Sequence, residues 1–254
     1  MICFCVTQRS SLSFAEEDNS KNPDDQQITQ QKVNKNFFKD LHGYIDLNGY
    51  YDFRKFDIFT NNTLIDFPGR FQYFSFTNIF GPFGTADDFR FSRYYTEQNI
   101  RWNPTNKLPL DLATQWVSGS TYKDVLRFGS RLRLQDIPST KKFFRKMNLI
   151  YNITFFPIQY DRSKGYDAQI EHFYRLQVLP GLLGDRVYIS GFADLNFLYG
   201  SDNPRNHNPW VTETQLGVRI INQVYVVAEY RFNQFLPKGK KNGLGVGLEY
   251  LIKF

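Results

Sequence analysis

Charged side chains recur an even number of residues apart along several segments of this 254-residue chain. The residues in these positions are Arg127, Arg131, Arg133, Glu171, Arg175, Asp194, Glu213, Arg219, Glu229, Arg231, Glu249 and Lys253. Side chains two residues apart on a strand point to the same face, so this spacing would gather the charges on one side of a sheet. Such a face could pair charges across neighbouring strands, or it could line a passage and select solutes by charge.

Three arginines, Arg127, Arg131 and Arg133, form the group with the least opposite charge on its own segment. They would favour an anionic or hydrogen-bond-accepting solute if acids on adjacent strands leave them free. Aromatic and amide residues share the charged parity, namely Phe173, Tyr188, Phe192, Asn196 and Tyr225. Aromatic rings could stack on a planar solute such as a nucleobase, or they could simply fill and narrow the interior.

The histidines give little support for catalysis or metal binding. His172 has no serine two residues away in either direction, whereas nucleophilic catalysis needs a nucleophile and a base within hydrogen-bond reach. His207 and Asp202 form only a loose pair, and His42 stands apart from both. No glycine-rich phosphate-binding loop is present. We therefore expect neither an enzyme nor a bound cofactor or metal.

The composition combines many aromatic residues with a polar average. Phe, Tyr and Trp make up 18 % of the chain, yet the mean hydropathy is −0.47. No run approaches the ~18 apolar residues of a transmembrane helix, and in lipid only a closed barrel satisfies the backbone of a sheet. The net charge of +6 comes from Lys and Arg that alternate with acids, so a nucleic-acid polymer is not an expected partner.

The last twelve residues show the clearest strand pattern. One parity is apolar and consists of Leu244, Val246, Leu248, Tyr250, Ile252 and Phe254. The other is small or charged apart from Leu251 and consists of Gly243, Gly245, Gly247, Glu249, Leu251 and Lys253. A strand with one apolar and one polar face is typical of a barrel with lipid outside and a polar interior.

Similar segments occur upstream. Regular alternation predicts strands at about 124–134, 168–178, 187–197, 210–220 and 223–233. Weaker candidates are 41–52, 70–79, 88–102, 109–119 and 146–157, and the facing of 70–79 and 88–102 cannot be assigned because their alternation is irregular.

Strand direction sets the strand number. If the last strand descends to the periplasm, 70–79 and 41–52 both ascend, so a descending strand must lie between them, within 53–67. This predicts an all-β fold, a closed antiparallel transmembrane β-barrel of 12 strands, with 10 as the alternative. Outer-membrane barrels have longer outer loops, which makes 200–209 an outer loop.

The N-terminal region divides into two expected segments ahead of a barrel at 37–254. Residues 1–15 hold both cysteines, Cys3 and Cys5, and form a possible signal peptide, although the charged start is missing and the apolar run is short. Residues 16–36 are polar with almost no aromatic residues, which predicts a disordered periplasmic extension.

The C-terminal segments carry a family resemblance. The strand ending in Phe254 resembles the terminal strand of bacterial outer-membrane barrels, which implies the outer membrane, contact with its lipids and recognition by the barrel assembly machinery. Residues 179–202, 224–235 and 243–254 resemble the nucleoside-specific Tsx-type channels. The resemblance implies a 12-stranded barrel, and the matching segments make Phe192, Asp194 and Asn196 positions to test.

Two functions remain open at this point. The first is an outer-membrane diffusion channel for small polar solutes, with nucleosides suggested by the resemblance. The second is a non-conducting structural or adhesive barrel that acts through its extracellular loops. A 12-stranded barrel is wide enough for a narrow passage, and we expect the inward glycines Gly243, Gly245 and Gly247 to favour an opening.

Overall fold

The computed structural model describes residues 40–81, 91–161, 167–198 and 208–254. The strands are β1 (His42–Asp52), β2 (Phe56–Phe67), β3 (Phe71–Phe80), β4 (Arg93–Trp102), β5 (Leu110–Gly119), β6 (Tyr122–Arg133), β7 (Leu149–Asp161), β8 (Ala168–Gln177), β9 (Val187–Phe197), β10 (Trp210–Ile221), β11 (Val224–Asn233) and β12 (Asn242–Lys253). Two short helices are α1 (Lys141–Met147) and α2 (Pro180–Leu183), and 3₁₀ turns lie at Pro68–Arg70, Leu134–Asp136 and Lys238–Lys240.

These strands close into one antiparallel barrel. Each strand pairs with its neighbours in the sequence, and β1 pairs with β12 from Tyr44 opposite Lys253 to Asp52 opposite Gly245. Closure leaves no free sheet edge, which is the condition for a sheet to lie in lipid. The prediction of a closed 12-stranded barrel is therefore confirmed, and the alternative of ten strands is wrong.

The descending strand expected within 53–67 is β2, which pairs with β1 along its whole length. The segments predicted as a signal peptide, 1–15, and as a periplasmic extension, 16–36, lie outside the described residues. Most of the expected outer loop 200–209 also lies outside them. No helix among the described residues is long and apolar enough to cross a membrane.

The outer face of the barrel is mainly apolar, and the polar parity faces the lumen. On β12, Leu244 and Leu248 are 46 % and 56 % exposed, whereas Glu249 is 1 % exposed. The parity predicted for the regular strands is thus confirmed on β12. A hydrophobic cluster inside the barrel joins strands β1, β2, β9, β11 and β12 and consists of Tyr50, Phe56, Ile58, Tyr188, Tyr225, Val227 and Leu251.

The two ends of the barrel differ in their connections. At the end where the chain reaches Phe254, called the terminal end here, the turn at Asn222 is tight and Asn222 adopts a positive φ of 43°. The connection 134–148 at the same end is long and contains α1. Short and long connections therefore occur at the same end, and side chains of α1, including Phe144 and Arg145, line the cavity mouth.

Candidate functional site

A cavity of about 3250 Å³ occupies the lumen. Its lining includes Thr121, next to the turn between β5 and β6, and Asp136 at the terminal end. Ten of the residues predicted from the sequence line it: Arg127, Arg131, Arg133, Glu171, Arg175, Phe192, Asp194, Asn196, Glu213 and Arg231. These residues thus share the wall of the cavity.

Four predicted lining residues, Tyr188, Arg219, Glu229 and Glu249, are not part of the cavity lining. Tyr188 is 1 % exposed and donates a hydrogen bond from its hydroxyl to Glu249. Arg219 instead pairs with Asp185 in the connection before β9. Tyr188, Glu229 and Glu249 belong to a packed wall because neighbouring side chains cover them, and their solute-lining role stays a prediction.

Gln215 holds this packed wall together. Its amide donates to Glu249 Oε2 at 2.7 Å, and its carbonyl oxygen accepts from the Tyr50 hydroxyl at 2.7 Å. Arg175 lies over the Tyr188 ring, with 4.0 Å between the guanidinium carbon and the ring centroid. This side of the lumen is therefore filled by a hydrogen-bonded aromatic cluster.

The glycines of the wall accommodate large side chains. A Cβ on Gly243 would lie 2.3 Å from the Arg54 guanidinium, and a Cβ on Gly217 would lie 2.2 Å from the Tyr188 ring. The space in front of both glycines is thus occupied by protein. The expectation that the glycines of β12 open the passage is wrong at Gly243 for this reason.

Two of the three arginines on β6 are neutralised. Arg131 Nε donates to Asp111 Oδ2 at 2.8 Å, and Arg133 also pairs with Asp111, which is 1 % exposed. Gln72 accepts from Arg131 at 2.7 Å and from Arg101 at 3.1 Å. The three arginines could select anions only if acids on adjacent strands left them free. Arg131 and Arg133 do not meet this condition, because both pair with Asp111.

The third arginine, Arg127, bonds neutral amides. It donates to Gln159 at 2.8 Å and to Gln115 at 2.7 Å. Within the described part of the chain, no carboxylate lies within ion-pair distance of Arg127 or of Arg175. Both guanidinium groups are therefore positive charges of the lumen without a direct counter-ion among the described residues.

Aromatic side chains meet across the lumen. The ring centroids of Phe76 on β3 and Phe192 on β9 lie 6.3 Å apart, although these strands lie on opposite sides of a 12-stranded barrel. Phe76 also contacts the ring of Tyr95 at 6.3 Å. These contacts narrow the passage at this level.

Polar side chains span the lumen in a second set of contacts. The Gln115 amide on β5 donates to Glu97 Oε2 at 3.1 Å and to Glu171 Oε2 on β8 at 3.5 Å. Asp194 lies opposite Glu171 on the neighbouring strand, and its Oδ1 has no hydrogen-bond partner within the described residues. Together these side chains form what we call the constriction: Phe76, Glu97, Gln115, Arg127, Glu171, Phe192 and Asp194.

The remaining predicted residues lie nearer the wall. Arg231 pairs with Glu213 at 3.0 Å and also with Glu229, so this group of charges is internally compensated. The Asn196 amide donates to the backbone oxygen of Pro209 at 3.3 Å and thereby ties the end of β9 to the start of β10.

Sequence reasoning missed three of the seven residues of the constriction and two residues of the hydrogen-bonded group around Arg131. The missed residues are Phe76, Glu97, Arg101, Asp111 and Gln115. The first three lie on β3 and β4, where alternation is irregular, and no facing was assigned there. The parity of β5, with Leu112 and Trp116 on one face and Asp111 and Gln115 on the other, was a signal that could have identified the last two.

No family model and no curated protein match the chain. Among solved structures it is similar to the KdgM porin in complex with disordered oligogalacturonate, with a TM-score of 0.50, 12 % identity and coverage of 82 % of this chain and 98 % of that chain. A second KdgM porin structure gives a TM-score of 0.50 at 11 % identity, with the same coverage. The NanC porin gives 0.53 at 9 % identity, covering 81 % of this chain and 98 % of that chain.

These similarities establish the fold, which is that of a 12-stranded porin. The mainly apolar outer face and the closed sheet are what a bilayer requires. The chain therefore forms a closed β-barrel whose outer surface suits a lipid bilayer. The solved structures reported above are porins and not Tsx-type channels, so the nucleoside preference implied by the sequence resemblance has no support from them.

Proposed function

We propose that the barrel is a diffusion channel for small polar solutes. The observation that carries the proposal is the cavity of about 3250 Å³, narrowed at one level by side chains and not by a folded segment of backbone among the described residues. Side chains move between rotamers in picoseconds to nanoseconds when they are exposed, so such a constriction can admit a solute without unfolding.

The constriction favours neutral or cationic solutes over anions. It contains three carboxylates, Glu97, Glu171 and Asp194, against one guanidinium, Arg127. Charges that line a narrow passage sort solutes by sign. The unpartnered Oδ1 of Asp194 can accept a hydrogen bond from a solute hydroxyl or amine.

Nucleosides are the finer candidate within this class. They are neutral, they carry hydroxyl and amine donors, and their bases could stack on the Phe76 and Phe192 rings. An acidic oligosaccharide such as the oligogalacturonate of the KdgM complex is the contrasting class. It would have to pass the three carboxylates of the constriction.

Vesicle swelling tests the proposal. Liposomes containing the purified full chain are placed in isosmotic adenosine, glucose, lysine or galacturonate, and the swelling rate is followed by light scattering. We expect faster swelling in adenosine, glucose and lysine than in galacturonate. Faster swelling in galacturonate would reject the charge preference, and no swelling in any solute would reject the channel.

A matched pair of variants assigns the preference to the constriction. Neutralising Glu171 and Asp194 together, as Glu171→Gln and Asp194→Asn, should raise the rate for galacturonate relative to glucose. The control is Asp124→Asn, because Asp124 lies on the outward parity and bonds Ser118 at 2.7 Å. Equal effects of the two changes would contradict a role for the constriction.

The second candidate is a non-conducting structural or adhesive barrel. The contacts from Phe76 to Phe192 and from Gln115 to Glu171 favour it, because both cross the lumen. Absence of swelling from a correctly folded barrel would support this candidate.

We also propose that the chain is not an enzyme. His172, the histidine with the strongest case from the sequence, faces outward and its Nδ1 lies 3.0 Å from the Tyr151 hydroxyl. Purified protein should therefore show no turnover of lipid or ester substrates in detergent micelles.

A further inference from the structure

The helix α1, in the connection between β6 and β7, has two sides that differ in their surroundings. Residues four apart on a helix lie on the same face. Lys141 and Arg145 are such a pair, and together with Phe144 they line the cavity mouth. The remaining residues, which we call the outer side of α1, are Lys142, Phe143, Lys146 and Met147. None of these four lines the cavity, so the helix turns a second surface away from the lumen.

The outer side of α1 exposes two large apolar side chains. Phe143 is 59 % exposed and Met147 is 46 % exposed, and the two lie one helical turn apart on the same face. The chain passes from Met147 directly into β7, whose outward side chains include Tyr151 and Phe155. The lipid-facing surface of the wall therefore continues onto the outer side of α1.

The neighbouring connection at the same end also exposes apolar side chains. It joins β8 to β9, next to β7 in the barrel, and contains α2. Leu179 and Leu182 in this connection are 62 % and 81 % exposed. Two adjacent connections thus present apolar groups at the terminal end, where the wall meets the boundary between lipid and water.

The helix also carries positive charge that the protein leaves uncompensated. Four basic residues lie within 141–146, and none of them forms an ion pair within the described residues. Asp136, the one carboxylate of the connection 134–148, pairs with Arg133. Exposed apolar groups beside basic ones are typical of helices that lie in the interfacial region of a bilayer.

We propose that the outer side of α1 binds anionic phospholipids of the leaflet at the terminal end. Phe143 and Met147 contact the acyl chains beside the barrel, and the ammonium groups of Lys142 and Lys146 contact the lipid phosphates. Long basic side chains can keep their stems on apolar surface while the charged ends reach a polar layer. The apolar pair favours a lipid over a soluble anion, and the uncompensated charge favours an anionic headgroup over a zwitterionic one.

Lipid contact on the outer side also holds the inner side of α1 in place. Phe144 and Arg145 belong to the same two helical turns, so anchoring the helix in the leaflet keeps both side chains at the cavity mouth. The proposal goes beyond solute passage and does not require that the barrel conducts. Its test therefore measures lipid contact alone.

Fluorescence quenching by brominated lipids tests this contact. Trp102, Trp116 and Trp210 are replaced by Phe, and Phe143→Trp then places a single fluorophore, called the α1 reporter, on the outer side of α1. The full chain is folded into phosphatidylcholine vesicles that contain brominated phosphatidylglycerol or, at the same fraction, brominated phosphatidylcholine. We expect both lipids to quench the α1 reporter, with about fivefold tighter binding of phosphatidylglycerol at low salt.

Two matched variants assign the preference to the lysines of α1. In the reporter chain, Lys142→Gln with Lys146→Gln should abolish the preference for phosphatidylglycerol and leave quenching by both lipids. The control carries Phe128→Trp in the same tryptophan-free background, because Phe128 lies on the lipid-facing side of β6. This control should be quenched equally by the two lipids.

Heat-modifiable migration in gel electrophoresis checks that each variant forms a barrel, and Met147→Trp replaces the α1 reporter if Phe143→Trp does not fold. Absence of quenching at α1 would overturn the proposal, since the helix would then face water or another protein. Equal binding of the two lipids at α1, or a preference that survives the loss of both lysines, would also overturn it.

Discussion

Charged side chains of the lumen are neutralised mainly by residues on adjacent strands. Arg131 and Asp111 face each other between β6 and β5, and Arg231 and Glu213 do so between β11 and β10. A paired charge offers a passing solute little net field. The charges that can discriminate among solutes therefore include Arg175, which has no carboxylate partner among the described residues, and those of the constriction, where the carboxylates outnumber the guanidinium.

Phe76 should limit the width of the passage. Its ring reaches the ring of Phe192 across the lumen, so Phe76→Ala should increase single-channel conductance. The control is Phe128→Ala, because Phe128 is 42 % exposed on the lipid-facing side of β6. Unchanged conductance in Phe76→Ala would contradict the position assigned to the constriction.

Asp111 should be a main determinant of stability at the lumen wall. Asp111→Asn removes the carboxylate between two arginines, and breaking a buried pair from one side costs about 3 to 5 kcal/mol. The measurement is urea-induced unfolding in lipid vesicles. Asp136→Asn is the control, because Asp136 pairs with Arg133 at an exposed position, where an ion pair contributes about 1 kcal/mol or less.

At the scale of the elements, alternation predicted the facing of a strand wherever one side meets lipid and the other meets water. β12 is the clearest example, with Leu248 outside and Glu249 inside. The facing of β3 and β4 was not predictable because their polarity is mixed. Phe74 and Phe76 point inward on β3, while Ser75 and Thr77 point outward.

The residues of the constriction could be predicted only in part, because the sequence of one strand does not specify which side chains meet across the barrel. The sequence specifies that Glu171 and Phe192 share the inward face of their strands, because that follows from parity alone. It does not specify that Phe192 meets Phe76 or that Glu171 meets Gln115. Those contacts depend on the shear and diameter of the closed barrel, which no single strand encodes.

The packing between β9 and β10 depends on the missing side chain at Gly217. A Cβ there would lie 2.2 Å from the Tyr188 ring, so Gly217→Ala should destabilise the barrel by about 1 to 3 kcal/mol through overpacking. Gly49→Ala is the control, since a Cβ at Gly49 meets nothing within 4 Å. Equal unfolding midpoints for the two variants in urea would show that the Tyr188 cluster tolerates displacement.

The C-terminal residue should be needed for efficient assembly. Phe254 exchanges backbone hydrogen bonds with Gly43, at 2.9 and 3.2 Å, where β12 closes against β1. Phe254→Ser should reduce the fraction of heat-modifiable protein in the outer membrane if the assembly machinery recognises the terminal aromatic residue. Phe128→Ser on β6 controls for the loss of a lipid-facing ring, and an equal loss in both variants would argue against recognition.

At the scale of the whole molecule, the barrel combines a closed porin fold with a lumen that is unevenly filled. The Tyr188 and Gln215 cluster packs the wall between β9 and β12, and a large cavity remains. In the proposed channel, the cavity would provide the passage and the constriction would select among solutes. The two ends also differ, because α1 lines the mouth at the terminal end.

Single-channel recording in a planar bilayer tests the central claim most directly. The full chain is inserted between unequal KCl solutions, and adenosine is then titrated. The account predicts discrete conductance steps, a reversal potential that shows preference for K⁺ over Cl⁻, and a stepwise decrease of current as adenosine occupies the constriction. A heat-modifiable barrel that gives no steps, or steps with a preference for Cl⁻, would contradict it.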